Sequence, residues 1–192
     1  EDDLSAVQET LKSDWLTTGP KVEEFENAIC DFTCSKFAVA VNSGTAALHS
    51  SLFAIDINKG DEVIVPSMTF ASTANAIVFQ GGTPVFADVN EKNLLINPNK
   101  VEEKINESAK AIIAVDYAGH AADYNKLQKI AKKNNLHLVA DACHAIGGKF
   151  YKKNVGELAD LNTFSFHPVK HITTGEGGAI TTNNEQYYNR MK

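Results

Sequence analysis

The chain has 192 residues, a mass of 20.8 kDa and a formal net charge of −6. This length corresponds to one large domain or two small ones, and 43% hydrophobic with 22% charged residues excludes a largely disordered chain. The acidic balance gives no general attraction to phosphate backbones or anionic lipid. We therefore expect neither a nucleic-acid binder nor a membrane-surface protein.

The cysteines and the chain ends bear on the compartment of the protein and on whether it binds a metal. Cys30, Cys34 and Cys143 are odd in number and lack zinc-finger spacing, so we expect free thiols in a reducing cytoplasm and no bound metal. The acidic N-terminus has no signal-peptide core, and no apolar run approaches the ~18 residues of a membrane span. The chain starts without Met and stops inside a predicted helix that follows Asn184, which suggests a piece of a longer protein.

Short β-branched runs alternate with amphipathic helical stretches along the chain. In chain order the pattern predicts helices 4–13 and 20–32, strand 37–42, helix 45–55, strand 62–66, helix 70–79, strand 83–88, helix 99–107, strand 111–116, helix 122–134, and strands 137–141, 162–166 and 179–182. Several strands are continuous apolar runs, which is typical of strands buried on both faces of a parallel sheet. The predicted fold is an α/β domain with a seven-stranded, mostly parallel sheet flanked by helices. Its binding sites should follow the strands' carboxyl ends.

The residues after the first two strands include a candidate anion-binding site and an aromatic ring. Gly44 and Thr45 open a helix, where free N–H groups and close backbone approach suit a phosphate. The alternative is a plain helix cap by Asn42 or Ser43. Phe70 follows the second strand, and it is either a core residue or a ring that stacks on a planar ligand.

The residues after the fifth and sixth strands carry the ionisable groups. Asp141 ends a strand and His144 follows three residues later, which suits a carboxylate that holds a protonated nitrogen, although Asp141 could also be a helix cap. Ser165 and Lys170 share one strand-to-turn segment, and a lysine there is a candidate for Schiff-base chemistry, although most lysines are simply solvated. The following glycines are not a dinucleotide fingerprint, because Ile180 stands where the third glycine is needed.

Six segments of the chain, taken together, resemble the DegT/StrS family of sugar-nucleotide aminotransferases, which are pyridoxal 5′-phosphate (PLP) enzymes of fold type I. The resemblance covers nearly the whole chain. The segments are Trp15–Pro20 (WLTTGP), Asn42–Leu48 (NSGTAAL), Pro66–Phe70 (PSMTF), Asp116–Gly119 (DYAG), Asp141–His144 (DACH) and Phe164–Gly178 (FSFHPVKHITTGEGG).

The resemblance implies a role for each candidate residue. Lys170 looks like the lysine that forms the covalent aldimine with PLP and then moves the proton between cofactor and substrate. Asp141 looks like the partner of the pyridine nitrogen, and His144 looks like a catalytic neighbour of the cofactor. The remaining cofactor-binding positions are a stacking ring and three residues of the phosphate seat, namely Phe70, Gly44, Thr45 and Ser165.

The implied reaction moves an amino group from an amino acid, expected to be L-glutamate, to a keto-sugar carried on a nucleotide. A histidine at the position of His144 goes with 4-keto sugars in this family. Asp116–Gly119 and the lysine-rich neighbourhood of Ala131–Asn134 look most like the pseudaminic-acid branch, which makes UDP-4-amino-4,6-dideoxy-N-acetyl-altrosamine from a UDP-linked 4-keto-6-deoxy sugar. The expected arrangement is a PLP-binding large domain over residues 1–192, without the family's small C-terminal domain, in an enzyme that forms a homodimer when full length.

Two alternatives stay open. PLP-dependent sugar dehydratases of the same family replace the Schiff-base lysine with histidine, and here Lys170 is followed directly by His171. The chain could also be a non-catalytic fragment that keeps the fold, with weak turnover or none.

Overall fold

A computed structural model describes all 192 residues. Nine strands are present: β1 (Phe37–Val41), β2 (Glu62–Pro66), β3 (Thr83–Ala87), β4 (Ala109–Val115), β5 (His137–Asp141), β6 (Lys149–Phe150), β7 (Lys153–Asn154), β8 (Leu161–Ser165) and β9 (Gly178–Thr182). Seven form one sheet in the spatial order β1-β9-β8-β5-β4-β2-β3, and β6 and β7 form a separate small hairpin. Only β9 runs antiparallel to its neighbours in the large sheet. The predicted α/β fold with a mostly parallel sheet is therefore confirmed.

Seven α-helices accompany the strands: α1 (Asp2–Lys12), α2 (Pro20–Thr33), α3 (Gly44–Ala54), α4 (Ala71–Phe79), α5 (Pro98–Glu102), α6 (Tyr124–Lys133) and α7 (Glu185–Met191). A short 3-10 turn, Tyr117–Gly119, follows β4. None of the helices has both the length and the apolar run that crossing a membrane would require.

The large sheet is buried on both faces, which is why its strands read as continuous apolar runs. Along β4 the side chains alternate between two hydrophobic clusters: Ile112 and Ala114 belong to one, and Ile113 belongs to the other. The first cluster includes Leu127 of α6, and the second includes Leu48 of α3. The helices thus cover both faces and leave the strand ends free to form a site.

The predicted elements correspond to observed ones, with one clear boundary error. The helix predicted over 99–107 ends at Glu102. Its next turn is lost because the Asn106 side chain accepts hydrogen bonds from the backbone N–H groups of Ser108 and Ala109, at 2.8 and 3.1 Å, and so bends the chain toward β4. The predicted helix after Asn184 is confirmed as α7, whereas the short β6–β7 hairpin was not predicted.

The exposed edge of strand β1 is protected by a buried carboxylate. Glu26 of α2 is 9% exposed, and its Oε1 accepts a 2.8 Å hydrogen bond from the backbone N–H of Ala40. Lys192 donates to both carboxylate oxygens, at 2.8 and 2.6 Å. Glu26 therefore satisfies an edge-strand donor that would otherwise be open to another chain.

Candidate active site

A cavity of about 730 Å³ lies where the parallel strands of the large sheet end. Its lining comes from the segments that follow β1, β2, β4, β5 and β8. These strands are far apart in sequence, and the parallel topology brings their carboxyl ends to one edge. All seven predicted site residues line this cavity: Gly44, Thr45, Phe70, Asp141, His144, Ser165 and Lys170.

The N-terminus of α3 forms one wall of the cavity. The Ser43 hydroxyl caps the helix by accepting a 3.1 Å hydrogen bond from the Ala46 N–H, so the proposed helix cap exists beside the proposed anion seat. Gly44 is required by close packing, because a Cβ there would lie 2.9 Å from Cβ of Ser165 and 3.0 Å from Sγ of Cys143. The absence of a side chain keeps the helix terminus against the end of β8.

Asp141 lies at the end of β5 and is only 5% exposed. Its Oδ2 accepts a 2.7 Å hydrogen bond from the Thr73 hydroxyl of α4, and its Oδ1 accepts a long 3.4 Å bond from the Cys143 N–H. Burial, reinforced by the charge of Asp141, raises the pKa of the Cys143 thiol well above its usual value. The thiol is therefore kept protonated, and Asp141 is the anionic group of this wall.

His144 and Lys170 approach the cavity from different loops. Burial lowers the pKa of His144, and the positive charge of Lys170 lowers it further. The imidazole is therefore mainly neutral at pH 7, with capacity both to donate and to accept a hydrogen bond. Lys170 lies in the turn after β8, where its backbone N–H donates a 2.9 Å bond to the carbonyl of His167.

Phe70 is 74% exposed although it is a large aromatic residue beside the cavity. The structure thus decides against the core alternative for this ring. An exposed ring at the mouth of a cavity offers a face to a flat ligand, since its burial would then come from the ligand instead of the protein.

The sequence pattern missed several residues of the site. Thr73 follows Phe70 by one helical turn, and that spacing was the only signal for it. Thr73 lies behind the cavity wall and contacts Asp141, whereas Tyr117 lines the cavity, with its ring centroid 6.4 Å from that of His144. The residues Asp116–Gly119 had been singled out only as part of a motif, because nothing in the sequence indicates which side chain of such a turn faces a cavity.

These groups suit a ligand that carries a phosphate, a flat ring with a basic nitrogen and a carbonyl. The free N–H groups of α3 suit the phosphate, the Asp141 carboxylate suits a protonated ring nitrogen, and the Lys170 amine suits the carbonyl. PLP has all three features, and no group of three or more His, Cys, Asp or Glu side chains is gathered to hold a metal ion. The fold and the cavity together define a PLP-binding domain of fold type I.

Comparisons with known proteins identify the family. Residues 1–192 match the DegT/DnrJ/EryC1/StrS aminotransferase family, and the chain belongs to it. An uncharacterized protein of Methanocaldococcus jannaschii is 45% identical over 192 residues, which is 100% of this chain and 50% of that protein. The chain thus spans about half the length of this curated relative.

Solved structures agree with this assignment. PseC of Helicobacter pylori, described as an aminotransferase involved in the biosynthesis of pseudaminic acid, superposes with a TM-score of 0.94 and is 38% identical, over 100% of this chain and 52% of that one. NtdA of Bacillus subtilis, solved with bound cofactor PMP, gives a TM-score of 0.93 at 35% identity, over 98% of this chain and 42% of that one. PMP is the amine form of PLP, and PLP is the cofactor of this class.

Proposed function

We propose that the protein transfers an amino group from an amino acid, L-glutamate in the simplest case, to a keto-sugar carried on a nucleotide. The observation that supports this most directly is that Lys170, Asp141 and the N-terminus of α3 line one cavity. These are the three groups that a reversible amino transfer on PLP requires.

Each of the chain's own residues in the cavity would have a distinct role in this reaction. When bound, PLP supplies an electron sink that stabilises negative charge on the carbon from which a proton is removed. Asp141 would keep the proton on the ring nitrogen, and the backbone N–H groups at Gly44 and Thr45, with the Ser165 hydroxyl, would hold the phosphate. Phe70 would cover one face of the ring. Lys170 would bind the cofactor covalently and, once released, remove the proton from the α-carbon of the amino donor.

His144 supports a finer proposal about the acceptor, a 4-keto-6-deoxy sugar linked to UDP. Its pKa is lowered by burial and by the charge of Lys170, and the neutral imidazole, with its ring centroid 6.4 Å from that of Tyr117, can donate a hydrogen bond to a polar group of the acceptor or accept one from it. The likeness to PseC, described as acting in pseudaminic acid biosynthesis, supports the same acceptor.

A PLP-dependent sugar dehydratase is the second candidate. It would need a histidine in place of the Schiff-base lysine, and His171 follows Lys170 directly. His171 is absent from the residues that line the cavity, whereas Lys170 is among them. This favours the transaminase.

The decisive experiment is a half-reaction on protein expressed from its complete reading frame. Adding L-glutamate to the PLP-loaded protein should shift the cofactor's absorbance to that of PMP, and a panel of 3-keto and 4-keto sugar nucleotides should then restore it. Borohydride reduction before glutamate is added should leave the label on the Lys170 peptide. No label on Lys170, or no spectral change with any amino donor, would contradict the proposed function.

The proposal includes a homodimeric cytoplasmic enzyme in which residues 1–192 form the PLP-binding large domain and a small C-terminal domain is needed for full turnover. Exposed apolar side chains support further packing partners: Leu4, Val7 and Leu11 of α1 are 75%, 59% and 67% exposed, and α1 buries no residue. Light scattering on the complete protein tests the dimer. Turnover by the 192-residue chain equal to that of a full-length relative would contradict the need for a second domain.

A further inference from the structure

Asp116 is a buried acid that the proposed chemistry does not use. It directly follows β4 and has no exposed surface, and it is absent from the cavity lining although its neighbours Val115 and Tyr117 both line the cavity. Successive side chains of a strand point to opposite faces, so Asp116 points away from the cavity and toward α6. A carboxyl group in such a place needs a reason, because its burial is costly.

The Asp116 carboxyl closes the turn that follows it. Oδ1 accepts a 2.9 Å hydrogen bond from the Ala122 N–H and another 2.9 Å bond from the Tyr124 hydroxyl. Oδ2 is buried without a hydrogen-bond partner. The two bonds from one oxygen therefore join both ends of the segment between Asp116 and Tyr124, which contains the 3-10 turn.

The segment that Asp116 closes is strained. Ala118 has φ = 52° and ψ = 28°, a left-handed conformation that L-residues with a Cβ adopt at an energetic cost, and Gly119 follows with φ = 84°. Such a conformation persists only where surrounding contacts hold it. The Asp116 carboxyl supplies two of those contacts, and the Gly119 N–H adds a third by donating to the Asp116 carbonyl at 3.1 Å.

The 3-10 turn fixes the positions of two residues of the cavity wall. Tyr117 lines the cavity, and its ring lies 6.4 Å from the His144 ring. On the other side of the turn, a Cβ on Gly119 would come within 3.1 Å of the His144 carbonyl, so the turn packs directly on that backbone. Movement of the turn would therefore move both Tyr117 and His144.

We infer that Asp116 is a positioning residue, which through Ala122 and Tyr124 holds the strained turn that places Tyr117 and His144 against the cofactor cavity. The inference rests on the function proposed above, in which that cavity is where PLP binds and reacts. Burial raises the pKa of Asp116 to about 7, and the nearby charge of Asp141 acts in the same direction. The Asp116 carboxyl can thus take up a proton near pH 7. This suits a residue that accepts hydrogen bonds beside the negative charge of Asp141.

The test compares PLP binding among variants of this bond pair. Tyr124→Phe keeps the buried ring and removes one donor, Asp116→Ala removes the acceptor, and Asp116→Asn keeps an acceptor oxygen. Glu26→Gln is the matched control, since Glu26 is also a buried, hydrogen-bonded carboxylate but lies outside the cavity. The readouts are the PLP dissociation constant, the absorbance maximum of the bound cofactor and the thermal midpoint of the cofactor-free protein.

Tyr124→Phe and Asp116→Ala should weaken PLP binding about fivefold or more and shift the absorbance maximum, because each removes a buried hydrogen bond of the turn. Asp116→Asn should restore most of the affinity, and Glu26→Gln should lower the midpoint without changing either cofactor readout. Wild-type affinity in both Tyr124→Phe and Asp116→Ala, or an equal loss in Glu26→Gln, overturns the inference. If Asp116→Ala does not fold, Tyr124→Phe and Asp116→Asn decide it. Sugar-nucleotide turnover is measured separately, so its absence refutes the proposed function and leaves the PLP-binding comparison valid.

Discussion

The hydroxyl of Thr73 on α4 donates a 2.7 Å hydrogen bond to Oδ2 of Asp141 at the end of β5. The same Thr73 oxygen lies 2.7 Å from the hydroxyl of Thr69. Because the single Thr73 proton is used on Asp141, Thr69 must be the donor in the second contact. A relay of two hydroxyls thus fixes one oxygen of the carboxylate and leaves Oδ1, with only the long bond from Cys143, available to a ligand.

Replacing Thr73 with valine tests this relay. Valine matches threonine in shape but donates nothing, so Asp141 would lose its strongest partner and its fixed orientation. We expect the PLP dissociation constant to rise about tenfold, which corresponds to the loss of one buried hydrogen bond to a charged group. Thr73→Ser, which keeps the hydroxyl, is the control. Equal affinities of Thr73→Val and wild type for PLP in an absorbance titration would show that the relay does not hold Asp141.

Phe70 should matter for the cofactor and not for folding. Its ring is 74% exposed, so Phe70→Ala should leave the thermal midpoint of the cofactor-free protein nearly unchanged. Loss of a stacking surface should weaken PLP binding by about five- to twentyfold, because aromatic contacts contribute on the order of 1 kcal/mol beyond the area that they bury.

Phe79→Ala is the control for Phe70→Ala, since Phe79 is also exposed, at 60%, but lies at the far end of α4, outside the cavity. We expect this control to bind PLP as wild type does. A drop in the midpoint of Phe70→Ala without the cofactor, or an equal loss of affinity in Phe79→Ala, would count against stacking.

Gly44→Ala should damage both stability and the phosphate seat. The added methyl would sit 2.9 Å from Cβ of Ser165, so the helix or the strand end must shift. We expect a loss of about 1–3 kcal/mol in the free energy of unfolding. Adding Ser165→Gly removes the nearest opposing atom, so the double variant should recover part of that stability but not the PLP affinity, because the Ser165 hydroxyl is then also missing. Urea unfolding and PLP titration of Gly44→Ala, Ser165→Gly and the double variant measure the stability and the PLP affinity of each. If the stability losses of the two single variants simply add in the double variant, the two residues do not clash.

The fold was predictable because each strand carries its own signal. Runs such as Ala111–Val115 are apolar on both faces, and they specify a buried parallel strand without reference to distant residues. The helix boundary at Glu102 was not predictable in the same way, since it depends on whether Asn106 bonds to the backbone ahead of it.

The candidate site was predictable only in part, for a related reason. Asp141 ends β5, and Gly44 and Lys170 lie in the segments that follow β1 and β8, so the rule that sites lie at strand ends finds them. Thr73 contacts Asp141 from a helix, and Tyr117 lines the cavity from a strained turn. Only the packed structure fixes which way these two side chains face. Asp116 has the residue type of a catalytic group and sits at a strand end, yet the alternation of β4 directs it away from the cavity.

Asp116 should make the stability of the protein depend on pH. Its pKa is about 7 in the folded protein, raised chiefly by burial and only partly offset by the bonds from Ala122 and Tyr124, whereas an unfolded chain has a pKa of about 3.9. Between those values the folded state holds a proton that the unfolded state does not. The free energy of unfolding should therefore fall as the pH rises from about 4 to about 7 and level off above that, where the residue is ionised in both states.

The asparagine of Asp116→Asn does not titrate, so the free energy of unfolding of this variant should rise relative to that of the wild type as the pH rises. At pH 5 Asp116 is protonated, so both proteins carry a neutral group there, with an O–H or an NH₂ that has no partner at the position of Oδ2. Between pH 5 and pH 8 the difference should move by on the order of 2 kcal/mol in favour of the variant, since the wild type alone must then bury a charge near Asp141. Urea unfolding of both cofactor-free proteins at pH 5, 6, 7 and 8 measures this difference directly. A difference that stays constant across the four pH values would mean that Asp116 is ionised throughout, and that its bonds to Ala122 and Tyr124 outweigh the cost of burying its charge.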